Sequence, residues 1–537
     1  MTAGAHHPRF SVFSVVKKIA PFGFFLGVVL SDARAAEFPF AGATIDGLQA
    51  QMAAGKLTAH ELTAAYLARI GQIDKAGPTL NAVIELNPDA LAIADKLDAE
   101  RRAGRVRGPL HGIPVLIKDN IATADRMETT AGSLALVGAP RPRDAGLVAR
   151  LREAGAVLLG KTNLSEWANF RSTSSTSGWS GRGGQTRNPY ALDRNPSGSS
   201  SGSAVAVAAD LCVVAVGTET DGSIVSPSSV CGIVGLKPTV GLVSRAGIIP
   251  ISVSQDTAGP MARTVRDAAI LLGALAAADP RDTATGLRPA ELPVDFAAAL
   301  KPGALKGARI GVVRGPFSFH PRMDALLTEA VAVMRAAGAV VVDPLDLPVM
   351  NKISAPEDVV LHYEFKDGLN AWFASLGAGA PVKSVAGLIA FDEAHAAQEM
   401  PFFAQEELVA AQARGPLTDQ AYLDALALSR KLARTEGIDA TMDANRLDAL
   451  VALSCGPAWL TDPVNGDHWT GGSTSLAAVA GYPDVTVPAA QVYGLPVGLS
   501  FFGRAWSDAR LLALAADFEA RTTARRAPKF LPRAEVR

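Results

Sequence analysis

Short apolar runs recur along the chain, separated by segments with helical periodicity. Ile113–Ile117 (IPVLI), Ala156–Leu159 (AVLL) and Cys212–Val216 (CVVAV) are each four or five residues long and end at glycine or polar residues. Runs of this length predict buried strands. Further strands are predicted at 309–313, 338–342, 447–453, 485–487 and 497–502. Between them lie predicted helices. Thr58-Ala59-His60-Glu61 forms a capping box that opens a helix over 58–73. Asn87-Pro88 reads as an N-cap followed by proline at the first helical position, opening 88–103. Helices are also predicted at 144–154, 204–209 and 223–230. Residues 165–202, rich in Ser, Gly, Asn and Arg, predict irregular loop, and about ninety residues over 350–440 lean to helix. Short apolar strands alternating with helices predict an α/β fold: a large mixed, mostly parallel twisted sheet covered by helices on both faces. Strands at both ends of the chain predict one domain, 36–537, whose sheet is completed late, with 350–440 as a helix-rich insertion.

Composition narrows the class. Of 537 residues, 48% are hydrophobic and 19% charged, which supports a large core and excludes a disordered chain. With 51 Lys+Arg against 52 Asp+Glu, a strongly basic nucleic-acid binder is excluded as well. The cysteines, Cys212, Cys231 and Cys455, form no C-x-x-C pair and read as small buried hydrophobes. At the N-terminus, Ile19–Leu30 is a 12-residue apolar run, shorter than the roughly 20 residues needed to span a bilayer. It is followed by Ala33-Arg34-Ala35, which fits a small-x-small cleavage site. Residues 1–35 therefore predict a secretory signal peptide and an exported, periplasmic or secreted protein starting at Ala36, with no stable membrane insertion after cleavage.

Two motifs match by letter and fail by context. Gly155–Thr162 fits G-x-x-x-x-G-K-T, but its four middle residues are themselves a predicted strand, whereas a phosphate loop follows one. Gly198-Ser199-Ser200-Ser201-Gly202 fits G-x-S-x-G, but a polar loop with two prolines precedes it where a nucleophile elbow needs a strand. No H-E-x-x-H or closely spaced histidine pair occurs in the mature chain, so no metal site is predicted.

Three further elements carry chemistry. Lys118 directly follows the strand 113–117, at the carboxyl end where α/β sheets place their sites. Taken alone it reads more readily as a solvated strand-end lysine. Pro196–Ser203 is a serine cluster with glycines, otherwise a flexible loop. Gly217-Thr218-Glu219-Thr220-Asp221-Gly222-Ser223-Ile224 is a strand, a tight turn and a serine at a helix start, where Ser223 could simply be an N-cap. In this order the three resemble the amidase signature family, whose hallmark is a Gly/Ser-rich stretch closing on Lys-Pro. Here that stretch runs from Ser197 to Thr239 and ends Gly235-Leu236-Lys237-Pro238-Thr239. Gly481-Tyr482-Pro483, Pro488 and Gly494–Leu499 look like the family's C-terminal strands, so the resemblance covers about 40–530. Lys161–Phe170, Gly183–Pro189 and Glu219-Thr220-Asp221-Gly222-Ser223 are similar to the family's bacterial peptide-amidase branch. Ser197 and Ser201 stand where glycines are common, and Asp221 replaces a glycine of the usual Gly-Gly-Ser turn. That branch shares the latter two changes.

The resemblance implies the amidase signature fold and a serine amidohydrolase that needs no cofactor or metal. It implies Lys118 as the base, Ser199 as a bridging serine reached through a cis peptide from Gly198, and Ser223 as the acyl-forming nucleophile. The chemistry is coherent, because a serine hydroxyl needs a base and a lysine can serve only when burial keeps it neutral. Backbone N–H groups of Thr220, Asp221, Gly222 and Ser223 are expected to form the oxyanion hole. Trp167, Asn169, Phe170 and Trp179 are expected to contact substrate, with 350–440 forming part of the wall on that side. The implied reaction is hydrolysis of the C-terminal carboxamide of peptides with release of ammonia. A general exported amidase for small aliphatic or aryl amides, and a non-catalytic binding protein on the same scaffold, are the alternatives. The expected partner is a small-molecule or peptide amide, not nucleic acid, and the oligomeric state is left open.

Overall fold

The computed structural model describes residues 1, 38–292, 295–314 and 321–536. The leader expected at 1–35 lies outside the described residues apart from Met1. Residues 38–41 make a turn closed by the Ala41 N–H on the Phe38 carbonyl (3.0 Å), and Gly42–Arg537 is a single unit.

The strands are β1 (Val83–Leu86), β2 (Pro114–Lys118), β3 (Val157–Thr162), a two-residue ribbon of β4 (Trp179–Ser180) and β5 (Gly184–Gln185), then β6 (Val214–Glu219), β7 (Val234–Lys237), β8 (Thr257–Ala262), β9 (Arg309–Val313), β10 (Val340–Leu345), β11 (Ala449–Leu453), β12 (Asp484–Val492) and β13 (Leu495–Phe502). Eleven of them form one sheet in the order β1-β3-β2-β6-β8-β7-β12-β13-β11-β9-β10. The expected large mixed sheet is present, but parallel pairs do not predominate. Among the described residues six neighbouring pairs are antiparallel and four parallel. One reason is local. Tyr493 and Gly494, both at positive φ (52° and 77°), make the two-residue connection between β12 and β13. Two consecutive left-handed residues favour a tight antiparallel hairpin over a crossover. The other reason is that β7 and β8, which no apolar run announces, enter antiparallel to their neighbours.

Every residue of β2, β3, β6 and β8 is buried, so this part of the sheet is covered on both faces. The helix Ser201–Ala208, wholly buried, lies against β2 and β6. Its Ser203 hydroxyl donates to the Val216 carbonyl at 3.2 Å, which satisfies a polar group inside the core. The capping box at Thr58 is present, with Glu61 reaching back to the Thr58 N–H. The next helix starts later than expected, at Ala90 rather than Pro88. Asn87 is tied to β3 instead: its N–H donates to the Leu159 carbonyl (2.8 Å) and its Nδ2 to the Leu158 carbonyl (2.8 Å). The segment 350–440 is helical as expected, led by Met350–Ser375. All three cysteines are buried and unpaired. Among the described residues no helix is long and apolar enough to cross a membrane.

Candidate active site

Lys118, Ser199 and the Ser223 turn converge at the carboxyl ends of β2 and β6. Lys118 is the last residue of β2 and is fully buried. Its Nζ lies 2.7 Å from Ser199 Oγ, 2.9 Å from Thr218 Oγ1 and 3.2 Å from the Thr218 carbonyl. A neutral amine has two hydrogens and one lone pair. Donating to the two Thr218 oxygens leaves the lone pair for the Ser199 hydroxyl. Burial pulls the Lys118 pKa down to about 7, against the opposing pull of the Asp256 and Glu219 carboxylates. Neither carboxylate pairs with the amine: Asp256 accepts from Thr220 Oγ1 (2.5 Å), Ile251 N (2.9 Å) and Ser252 N (3.0 Å).

The Gly198–Ser199 peptide is cis. A side chain at Gly198 would put its Cβ 2.2 Å from Ser165 Oγ and would displace that hydroxyl from the Gly178 N–H it accepts from (2.9 Å). The Ser165 N–H donates to the Ser199 carbonyl (3.1 Å), and the Ser200 N–H donates to the Ser223 carbonyl (3.1 Å). The second bond draws the Ser223 turn against the Ser199 segment. Glu219, at the end of β6, holds that turn from behind. Its Oε2 accepts from the N–H groups of Ile224 (2.6 Å) and Val225 (2.9 Å), at the start of the helix Val225–Val230. The backbone N–H groups of Thr220, Asp221, Gly222 and Ser223 find no backbone acceptor among the described residues. Gly222 sits at φ +74°, and a Cβ there would press on Ser226 Oγ and Thr474 Oγ1, each at 3.0 Å. Asp221 is fixed by Thr474, whose hydroxyl donates to it at 2.6 Å.

Gly198, Asp221 and Gly222, which flank the two serines, bound a cavity of about 520 Å³. Its wall is polar, with Ser172, Ser174, Ser177, Asn465 and Thr474, and Glu407 enters from the 350–440 segment. Of the four residues expected to contact substrate, Asn169 lines this cavity, with its Oδ1 accepting from Ser175 Oγ (3.0 Å). The other three are corrected. Trp167 is 1% exposed and packs edge-on to Phe373. Trp179 is buried between Phe402, Phe403 and the Arg171 guanidinium. Phe170 packs on His362 and Phe365. Trp167 and Trp179 are buried and Phe170 half-buried, and none of the three lines the cavity. Buried Arg171 ties this aromatic layer together: Nη1 donates to Glu166 Oε1 (2.5 Å), Nη2 to the Glu399 and Phe403 carbonyls.

Sequence reasoning missed Thr218 and Asn120, whose Nδ2 donates to Thr218 Oγ1 at 3.0 Å. It also missed Asp467, Trp459 and Trp469 on the loop that follows β11. The signal available was the composition of 455–470, a loop with two tryptophans among Asp, Asn and Gly placed after a strand. The lysine of the G-K-T match, Lys161, lies inside β3 and donates to the Ile121 carbonyl (2.7 Å) and Thr129 Oγ1 (3.0 Å), a structural role. Asp358, His362 and Glu407 lie close together. Glu407 Oε2 faces His362 Nε2 (2.6 Å) and Asp358 Oδ2 faces Nδ1 (3.4 Å). In this arrangement the imidazole sits between two carboxylates, with one ligand atom from each of the three residues within 4.8 Å of the others.

Comparison with known proteins places the chain among amidases. The Amidase family profile matches residues 61–512. The chain is 42% identical over 503 residues to a probable amidase of Arabidopsis thaliana, covering 92% of this chain and 93% of that one. Among solved structures, native peptide amidase from Stenotrophomonas maltophilia superposes with a TM-score of 0.89 at 56% identity, covering 92% of this chain and all of that one. An amidase family protein from Bacillus anthracis superposes with a TM-score of 0.82 at 38% identity, covering 91% and 92%.

Proposed function

The chain belongs to the amidase signature family and is a hydrolase of amide carbon–nitrogen bonds, and from that membership we propose that it removes the C-terminal carboxamide of peptides as ammonia. In this reading Ser223 is the nucleophile, Ser199 the proton relay and Lys118 the base. The observation that carries it is the buried Lys118 amine, 2.7 Å from Ser199 Oγ and free of any contacting carboxylate.

Neutral Lys118 accepts the Ser199 proton while Ser199 accepts the Ser223 proton, and Ser223 Oγ bonds to the carbonyl carbon. The N–H groups of residues 220–223 meet the oxygen that becomes negative. The lysine–serine relay then returns its proton to the leaving nitrogen, ammonia departs, and water hydrolyses the acyl-serine by the same relay in reverse. Ammonia release from a blocked peptide amide by the purified protein tests the reading directly, and no release would overturn it.

Substrate size is expected to matter. The polar cavity offers hydroxyls and amides to a peptide main chain, and binding away from the reacting carbon lowers the transition state relative to free substrate. Blocked di- or tripeptide amides should exceed acetamide by about a hundredfold in kcat/KM, or about 3 kcal/mol. Equal values for the two would favour a general small-amide hydrolase, and cleavage of internal peptide bonds would contradict both readings. Since the proposed steps use only Lys118, Ser199, Ser223 and backbone N–H groups, prolonged dialysis against EDTA should leave the rate within about twofold of the untreated enzyme. Loss restored by a divalent cation would place a metal in the reaction.

A further inference from the structure

A second cavity, of about 730 Å³, lies beside the one at Ser223. Its character is opposite: Met323, Pro457, Leu460, Val492, Tyr493 and Leu495 supply an apolar lining. Trp459, Asn465 and Asp467 belong to both cavities and form the partition between them. The partition is held rigidly. Trp459 Nε1 donates to Asp467 Oδ1 (3.0 Å), the Ser177 N–H donates to the same carboxylate (3.1 Å), and Trp469 packs edge-on against Trp459 with centroids 5.8 Å apart. The Asn195 N–H donates to the Trp459 carbonyl (2.7 Å), which anchors this loop to the segment leading into Ser199. Leu460 stands on the apolar lining and remains 54% exposed, a large aliphatic side chain with half its surface free to be covered.

We infer that this apolar cavity binds a large aliphatic or aromatic side chain of the substrate, carried on the acyl side, upstream of the residue whose amide is cleaved. The inference rests on the peptide-amide reading and narrows it to amides of peptides with an apolar residue near the C-terminus. The leaving group is ammonia, which needs no room, so whatever reaches beyond the polar cavity belongs to the acyl side. The polar cavity suits main-chain groups. A chain leaving it past Trp459 meets a surface whose only large gain is apolar burial. The shared partition fixes the two cavities next to one another, so an upstream side chain enters the second while the main chain stays in the first.

The experiment reads binding without turnover. In a Ser223→Ala background, calorimetry measures Kd for acetylated tetrapeptide amides: all-glycine, and with one Leu or Phe placed second, third or fourth from the amide. One placement should tighten binding about ten- to a hundredfold over the all-glycine peptide, as burial of one large apolar side chain does. Adding Leu460→Glu, or Leu460→Ser should the first variant misfold, should reduce that ratio to within about threefold of one. Equal affinity for all peptides, or a ratio that survives both Leu460 changes, overturns the assignment. Ammonia release by the unmodified enzyme separates the two readings. A position-dependent affinity without release keeps the cavity and removes the peptide-amide reading, whereas release with flat affinities does the reverse.

Discussion

Replacing Ser223 by alanine should lower amide hydrolysis by at least about a thousandfold, equivalent to about 4 kcal/mol of transition-state stabilisation. The argument has two halves. In the proposed reaction no other hydroxyl can take its place, because Ser199 already engages Lys118 and Ser200 Oγ donates to the Thr218 carbonyl (2.9 Å). Structurally, the change should be nearly silent. The turn is secured through backbone groups, by Glu219 on Ile224 and Val225 and by the Ser223 carbonyl on Ser200, and none of these needs the Ser223 hydroxyl. Thermal unfolding should therefore shift by no more than about 1 kcal/mol equivalent. The pair of measurements is ammonia release and a melting curve. Turnover close to the unmodified enzyme in a folded variant would remove Ser223 from the mechanism.

Lys118→Met should reduce activity on a similar scale, again about a thousandfold, and should change its pH dependence. Methionine is chosen because it keeps an unbranched chain in a fully buried position. Burial lowers the Lys118 pKa to about 7. Below that pH the amine is an ammonium without a lone pair, and it cannot accept the Ser199 proton. For the unmodified enzyme, kcat/KM should therefore fall as pH drops through about 7 and level off above it. The residual rate of Lys118→Met should lack this limb. An unchanged rate would point to a different base. His111, the histidine nearest to the strand in sequence, is poorly placed for it: its Nε2 pairs with the Leu97 carbonyl (2.9 Å) and its Nδ1 accepts from Arg107 N (3.3 Å).

Strands that are both short and wholly apolar were legible in the sequence. β2, β3 and β6 fall within two or three residues of the predicted runs, because burial on both faces leaves no polar position to blur them. β7 and β8 were not legible. Val234–Lys237 is hidden in the Gly/Ser-rich stretch, and Thr257–Ala262 (TAGPMA) carries glycine and proline, which mark loops when read locally. Their pairing depends on partners far away in the chain. The same distinction holds at the site. Lys118, Ser199 and the Ser223 turn stand out by local pattern, and the structure brings Lys118 within 2.7 Å of Ser199 Oγ and the Ser223 carbonyl within 3.1 Å of the Ser200 N–H. Trp167 and Trp179 were misread because nothing local records that Phe373, Phe402 and Phe403, some two hundred residues later, come back to cover them. Thr218 and Asn120 act through one lysine, a contact without a sequence signature.

The sheet order carries a consequence for how the protein is made. At its middle, β7 pairs with β12: Leu236 opposite Val485 and Gly235 opposite Thr486. Some 250 residues separate the two strands, so the bond that joins the two halves of the sheet closes one of the longest loops in the chain. Lys118, Ser199 and Ser223 all precede that closure. On a ribosome they emerge together with β2, β3, β6, β8 and β7, while the β7 edge waits for its partner. An open strand edge is a template for pairing with another chain. The helix-rich 350–440 segment and β9–β11 must all be synthesised before β12 arrives. Long-range pairing of this kind slows folding. The half that carries Lys118, Ser199 and Ser223 thus depends, while some 250 further residues are made, on being kept from self-association until residues 484–486 arrive to seal its edge.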